Sequence, residues 1–247
     1  MTGKIATKYL PRTESEGGAP PPTLREWAVI LPFGAVQWPW LLRSLSGGDP
    51  AERTRLLERL DLPEAALPAL GSWKADAALL HRIVDVIERD RPDMAVELGA
   101  GATTLVAARA LQMHGGGKLV SFDQHGDFIG QTRKWLGEYG LDAEMHGVEI
   151  ARGQTSWPGF WYVLEDVPER IGLLTVDGPP WTIHPLVRGA AESLFDRIVP
   201  GGTVLLDDAA RPGERVIAAR WTKKWPEFSF RLDSQGTKGT LIGTRRN

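Results

Sequence analysis

From Ser72 onward, short apolar runs alternate with amphipathic stretches, and this alternation restricts the fold more than any other feature of the chain. Leu79, Ile83, Val86 and Ile87 recur at helical spacing, which predicts a helix over 73–90 ended by Arg91-Pro92. Met94 to Leu98 reads as a first strand, Thr103 to His114 as a helix closed by three glycines, and Lys118 to Asp123 as a second strand. Phe128 to Tyr139 is helical, with Gly140 as its stop. Ala143 to Ile150, Ile171 to Asp177 and Thr203 to Asp207 supply three more strands, and Leu186 to Ile198 is a helix between the last two. After a helix over Pro212 to Trp225, Phe228 to Leu232 and Thr240 to Gly243 form a terminal antiparallel hairpin around the turn-rich link Asp233 to Gly239. Apolar strands spaced by helices belong to a sheet covered on both faces and joined by right-handed crossovers. The expected fold is α/β: a doubly wound, mostly parallel seven-stranded sheet with a terminal antiparallel strand, plus a helical N-terminal extension.

Ahead of this domain, expected over 72–247, the chain divides into a flexible tail over 1–23 and an N-terminal helical cap over 24–71. The most apolar run, Trp27 to Leu42, is shorter than a bilayer needs and is interrupted by Pro32, Gly34 and Pro39, so no membrane span is expected. It reads as a cap on the main domain; a substrate lid, a homodimer contact through this extension or a membrane-surface anchor are the other readings. Asp49-Pro50-Ala51-Glu52 has the residue order of a helix start. With 29 Lys and Arg against 31 Asp and Glu, there is no broad positive field for a nucleic acid. The absence of Cys excludes disulfides, thiolate metal sites and cysteine nucleophiles, and a cytoplasmic location is the simplest expectation.

Val96-Glu97-Leu98-Gly99-Ala100-Gly101-Ala102-Thr103-Thr104 places two glycines where a buried strand turns into a helix. Glycines there let the backbone approach a ligand, and the free amides of the helix start face it. Asp123 ends the next strand, where a doubly wound sheet presents a carboxylate to the ribose of a nucleoside. Thr104 replaces the third glycine of the dinucleotide fingerprint. Glu97, two residues before the loop, would repel a pyrophosphate and attract a cationic amino-acid group. These two departures disfavour an NAD-dependent oxidoreductase.

On these residues the chain resembles the Rossmann-like, class I S-adenosylmethionine-dependent methyltransferases. The resemblance covers about residues 72 to 247, and the terminal hairpin is part of it. It implies that Glu97, Gly99 and Gly101 hold the methionine part of S-adenosylmethionine; Ala100, Thr103 and Thr104 of the same loop are expected at the donor too, and Trp73, at the start of the helix leading into the first strand, reads as closing over that end. It likewise implies that Asp123 holds the ribose; Gln124 and His125 are expected beside the nucleoside, with a base or a solvated loop residue as the other readings of His125.

A second group of acids ends the next two strands, in Val176-Asp177-Gly178-Pro179-Pro180-Trp181 and in Leu205-Leu206-Asp207-Asp208-Ala209-Ala210-Arg211. Carboxylates converging there repel one another unless one is protonated or a cation lies between them. Two readings stay open: Asp177, Asp207 and Asp208 bind Mg²⁺, or a single Asp, Asp177 or Asp208, acts as a general base without metal. The VDGPP and LLDDAxRxxE motifs are similar to those of a bacterial group within the family. His184 is a candidate base or substrate contact, Trp181 a candidate stacking surface, and Arg188 reads as structural. The function expected is O-methylation of a small-molecule or sugar hydroxyl. Methylation of an amino group is the alternative, although Gly178 separates Asp177 from the Pro-Pro-Trp that such chemistry uses. Six of the ten Trp, at positions 27, 38, 40, 157, 161 and 181, fall in the extension or in loops and are expected to hold the acceptor.

Overall fold

The computed structural model describes residues 23–67, 69–72 and 74–247. Apart from Thr23, the expected tail lies outside the described residues, and so does Trp73.

Seven strands form one sheet: β1 (Met94–Leu98), β2 (Lys118–Asp123), β3 (Glu144–Gly147), β6 (Ile171–Val176), β7 (Ile198–Leu206), β8 (Phe228–Asp233) and β9 (Thr240–Arg245). Their order is β3-β2-β1-β6-β7-β9-β8. All neighbours through β7 are parallel; β9 runs antiparallel to both β7 and β8. This is the doubly wound, mostly parallel sheet expected from the alternation. Strand residues alternate between its two faces. Ala95, Leu119, Leu173 and Leu205 pack under α3 (Ala77–Asp90) and α4 (Ala102–His114). Val96, Phe122, Leu174 and Leu206 face the segment Val187–Arg197 and α6 (Pro212–Lys224).

Two expectations are corrected. The strand expected over Ala143 to Ile150 splits at Gly147: Val148 donates to the Asp123 carbonyl, and β4 (Ile150–Ala151) leaves the sheet to pair with β5 (Trp161–Tyr162). The helix expected over Leu186 to Ile198 is a 3₁₀ segment, Val187–Arg197. Within it, Trp221 Nε1 takes the Gly189 carbonyl at 3.0 Å, and the glycine leaves room for the Trp157 ring against the backbone.

The apolar run near the N-terminus is one continuous helix, α1 (Leu24–Ser44), that passes through Pro32 and Pro39. A proline inside a helix costs about 3 kcal/mol. α1 offsets part of this with a capping box between Thr23 and Glu26, and its Glu26 forms an ion pair with Arg152. The inner face of the helix meets the domain at Gly34, beside the Trp181 ring, and at Arg43, which donates to the Gly236 carbonyl at 3.1 Å. On the outer face Leu24, Leu31, Trp38 and Leu45, each seven residues apart, are all more than half exposed. α2 (Pro50–Arg59) starts at Asp49, whose side chain accepts from Ala51, and α5 (Gly126–Glu138) follows β2. No helix among the described residues is long and apolar enough to cross a membrane.

Candidate active site at the carboxyl edge of the sheet

Strand register builds the site. Leu98 pairs with Phe122 and with Val176, and Val176 pairs with Leu206. The residues that follow these four therefore stand in a row along the carboxyl edge: Asp207, Asp177, Gly99 and Asp123. At ordinary strand spacing the row spans about 14 Å. Ligands of open α/β sheets bind at this edge.

Gly99 and Gly101 have φ of +98° and +149°, conformations that side chains other than glycine rarely adopt. The strands also press together here: Asp177 and Gly178 both donate to the Leu98 carbonyl at 2.8 Å. A Cβ on Gly99 would stand 2.7 Å from the Gly178 nitrogen. The glycine loop and the DGPP loop are thus in backbone contact. Asp123 holds the other side, its Oδ2 accepting from Ala100 N at 3.0 Å and its Oδ1 from His125 N at 2.8 Å. Gln124 accepts from the buried Tyr162 hydroxyl at 3.0 Å.

Glu97 lies beneath the loop and is buried. Register pairs it with Ser121, whose hydroxyl donates to Glu97 Oε2 at 2.7 Å; Thr104 Oγ1 donates to the same oxygen at 2.6 Å. Oε1 has no partner. Thr104, which departs from the dinucleotide pattern, therefore serves the carboxylate below it. Burial pushes Glu97 up to about 7, and it does the same to Glu214 in the first turn of α6.

These two acids fix the sign of a pH effect. Between their ordinary value of 4.5 and about 7, each keeps a proton in the folded protein that the unfolded chain has released. Stability therefore falls as pH rises through that window, by up to roughly 3 kcal/mol per group. The melting temperature is expected to be higher at pH 5 than at pH 8. Glu97→Gln is expected to flatten the slope, and a melting curve that rises from pH 5 to 8 would contradict the assignment.

Asp177, Asp207 and Asp208 do converge, each bringing a carboxylate oxygen within 4.8 Å of the others. The chain already meets them with cations. Lys238 Nζ lies 3.1 Å from Asp207 Oδ2 and 3.5 Å from Asp208 Oδ1. Arg188 reaches Asp208 at 2.9 Å and Asp177 at 3.4 Å, and Arg211 reaches Asp208 at 2.8 Å. Arg188 also donates to the carbonyls of Asp177 and Pro179, which ties the DGPP loop to β7. Three acids thus face three bases, and a divalent ion added to the set would stand uncompensated. With Lys238 in place the residues do not fit Mg²⁺.

The acids differ in what they can do. Burial alone would raise Asp208, but Lys238, Arg211 and Arg188 outweigh it and hold the carboxyl at about 2, too acidic to take a proton at neutral pH. Asp177 is pushed well above the ordinary carboxylate range, first by burial and then by Asp207. Its side chain also retains 14% exposure, against 2% for Asp208 and none for Asp207.

His184 is buried, and its Nδ1 accepts from the Leu186 amide at 3.1 Å. Burial lowers its pKa, so the ring is neutral with its hydrogen on Nε2: it can donate but not abstract. Of the tryptophans, Trp157 and Trp161 are core residues, Trp27 and Trp38 are exposed on α1, and Trp181 lies under α1. Lys238 carried no signal in the sequence, standing 30 residues beyond Asp208 in a link that reads as surface.

Residues 96–209, from β1 to just past Asp208, match a family described as a methyltransferase domain. Over these residues the chain is similar to a methyltransferase domain. Its fold aligns with the SAH-bound methyltransferase PaMTH1 of Podospora anserina at a TM-score of 0.53 and 13% identity, covering 93% of this chain and 100% of that one. For the Bacillus cereus O-methyltransferase in complex with SAH the values are 0.52 and 15%, covering 91% and 100%. For a Geobacter sulfurreducens methyltransferase they are 0.51 and 16%, covering 81% and 90%. At such identities the likeness is one of fold. No curated protein matches the chain. Within the matched residues lie the glycine loop, Asp123, Asp177 and Asp207-Asp208; α1 and Lys238 lie outside them.

Proposed function

We propose that this methyltransferase uses S-adenosylmethionine to methylate a hydroxyl oxygen of a small molecule or sugar, with Asp177 as the base. One observation carries the reading: the close approach of Gly99 to the backbone of Asp177 and Gly178 sets the residue that bears the Asp177 carboxylate directly beside the glycine loop. The loop itself fits the donor. A Cβ on Gly101 would meet nothing nearer than the Phe128 ring, at 3.6 Å, so the turn keeps its backbone open to a ligand, and the unpartnered Glu97 Oε1 offers an acceptor to a cationic amino group. Thr103 and Ala100 line the same turn, and Asp123 has lone pairs left for ribose hydroxyls after meeting the Ala100 and His125 amides. When bound, the donor supplies an electrophilic methyl group.

The chain's own residues do the rest. Asp177 accepts the proton of the acceptor hydroxyl, and its raised pKa makes it a better base near neutrality than an ordinary aspartate. Arg188 fixes the Asp177 backbone. Under α1 the acceptor meets polar groups with spare capacity: the Gln37 amide and the Thr182 hydroxyl are buried without partners, and His184 Nε2–H is a donor.

Isothermal titration with S-adenosylhomocysteine tests the donor site, and no binding at high micromolar concentration rejects it. Asp177→Asn is expected to lower kcat by about 10²–10⁴ while leaving donor affinity unchanged, as loss of a general base should.

We also propose that a second copy of the chain covers the outer stripe of α1. Leu24, Leu31, Trp38 and Leu45 repeat every seven residues, the period of a two-helix seam, and a two-fold axis sets such a stripe against itself. Light scattering after gel filtration is expected to give twice the chain mass, and Trp38→Glu to return it to one. A monomeric parent protein would reject the pairing.

A further inference from the structure

We infer that Lys238 is a built-in cation that closes the Asp177–Asp207–Asp208 site to divalent metals. The lysine belongs to the link between β8 and β9, yet only 3% of it is exposed. Its ammonium lies between Asp207 and Asp208, where an ion bridging the two carboxylates would have to stand.

The position is fixed by the backbone rather than by the reach of a flexible side chain. Asp76 Oδ1 caps α3 through the Leu79 amide, while Oδ2 of the same residue accepts from Thr237 N at 2.7 Å and Lys238 N at 3.1 Å. Gly239 and Lys238 carbonyls accept from the amides of Ala209 and Ala210, at 2.9 and 3.0 Å, joining the link to the residues that follow Asp208. Arg82 holds the start of the link through Asp233 at 2.6 Å and Gln235 at 2.8 Å. The link is therefore anchored on both sides of the lysine.

Charge balance gives the same answer. Lys238, Arg188 and Arg211 match the three aspartates, and two further acids stand nearby: Glu214, buried with one unpartnered oxygen, and Asp76, whose carboxylate is taken up by the Leu79, Thr237 and Lys238 amides. A divalent ion entering this set would carry two charges into a buried region where three cations already stand, and Lys238 beside Asp207 and Asp208 would repel it even though Asp207 Oδ1 and Asp208 Oδ1 lack hydrogen-bond partners. Removing Lys238 reverses the situation: the aspartates gain an uncompensated negative charge, and a hard cation with oxygen ligands becomes the natural replacement. The inference concerns the charge of the site and stands apart from which atom is methylated.

Mn²⁺ titration of the full chain, followed by electron paramagnetic resonance, tests it. The parent protein is expected to bind no Mn²⁺ at this site up to about millimolar concentration. Lys238→Ala is expected to melt about 8 °C lower and to acquire one Mn²⁺ per chain, at least about tenfold tighter than any site in the parent. Mn²⁺ should restore part of the lost melting temperature. Lys238→Ala combined with Asp207→Asn should bind no Mn²⁺. If Lys238→Ala does not fold, Lys238→Gln takes its place. A parent protein that binds one Mn²⁺ per chain, with loss of binding in Asp207→Asn, overturns the inference. A folded Lys238 variant that gains no Mn²⁺ overturns it equally.

Discussion

Asp123→Ala is expected to weaken binding of S-adenosylhomocysteine by at least about 100-fold, close to 3 kcal/mol. Asp123 holds two amides at once, Ala100 in the glycine loop and His125 after β2. Hydrogen bonds to a charged group are worth roughly 1.5–3 kcal/mol each, and the alanine leaves both amides unmet. The loop then loses its lateral anchor at the place where the ribose is expected to meet the same carboxylate. Asp123→Asn keeps the shape and one acceptor oxygen, so its loss should be smaller, about tenfold. Calorimetry on the two variants separates latch from charge. If Asp123→Ala binds within about threefold of the parent, this edge does not hold a nucleoside in the way the glycine loop implies.

Gly99→Ala has the second large effect, on stability first. At φ of +98° an L side chain costs roughly 1–2 kcal/mol, and the new Cβ would stand 2.7 Å from the Gly178 nitrogen and 3.0 Å from the Asp177 carbonyl carbon. Neither neighbour is a side chain that can rotate away, so relieving the overlap moves backbone, at about 1–3 kcal/mol more. A melting temperature lower by about 10 °C follows. The movement would also carry Asp177 away from the loop, and turnover should fall further than donor affinity. Gly126→Ala is the control, because no atom lies within 4 Å of a Cβ there. Equal melting temperatures for the two variants would show that the loops are not in contact.

Much of this arrangement was legible in the sequence because its signals are local. β1 and β2 begin and end where the apolar runs do, since a strand buried on both faces leaves no room for a polar residue except where one has a partner. Glu97 was such an exception. The sequence drew attention to it as a ligand of the donor, and the structure adds its two hydroxyl partners, one of them from the neighbouring strand. The convergence of Asp177 with Asp207-Asp208 was also readable, because parallel strands end on the same edge.

The signals that failed were long-range or cooperative. Pro32 and Pro39 read as breaks, but a helix docked along one face and capped at its start can absorb the cost of both. Lys238 was invisible for a different reason. Nothing near it in sequence distinguishes it from a solvated turn lysine; only Asp76, 162 residues away, and the pairing of β9 with β7 bring it inside. Tertiary pairing, not composition, sets the charge of the site.

The reversed direction of β9 has a consequence of its own. A parallel strand beside β7 would receive its incoming chain at the amino edge of the sheet; an antiparallel one receives it at the carboxyl edge, so the link from β8 arrives beside Asp207 and Asp208. The link lies outside the segment matched to the methyltransferase family. Substitutions within 234–239 could therefore change the electrical character of the site from outside the shared domain. The glycine loop and the three aspartates would remain as they are, which makes this short hairpin the natural place for otherwise similar chains to diverge in the cation they use.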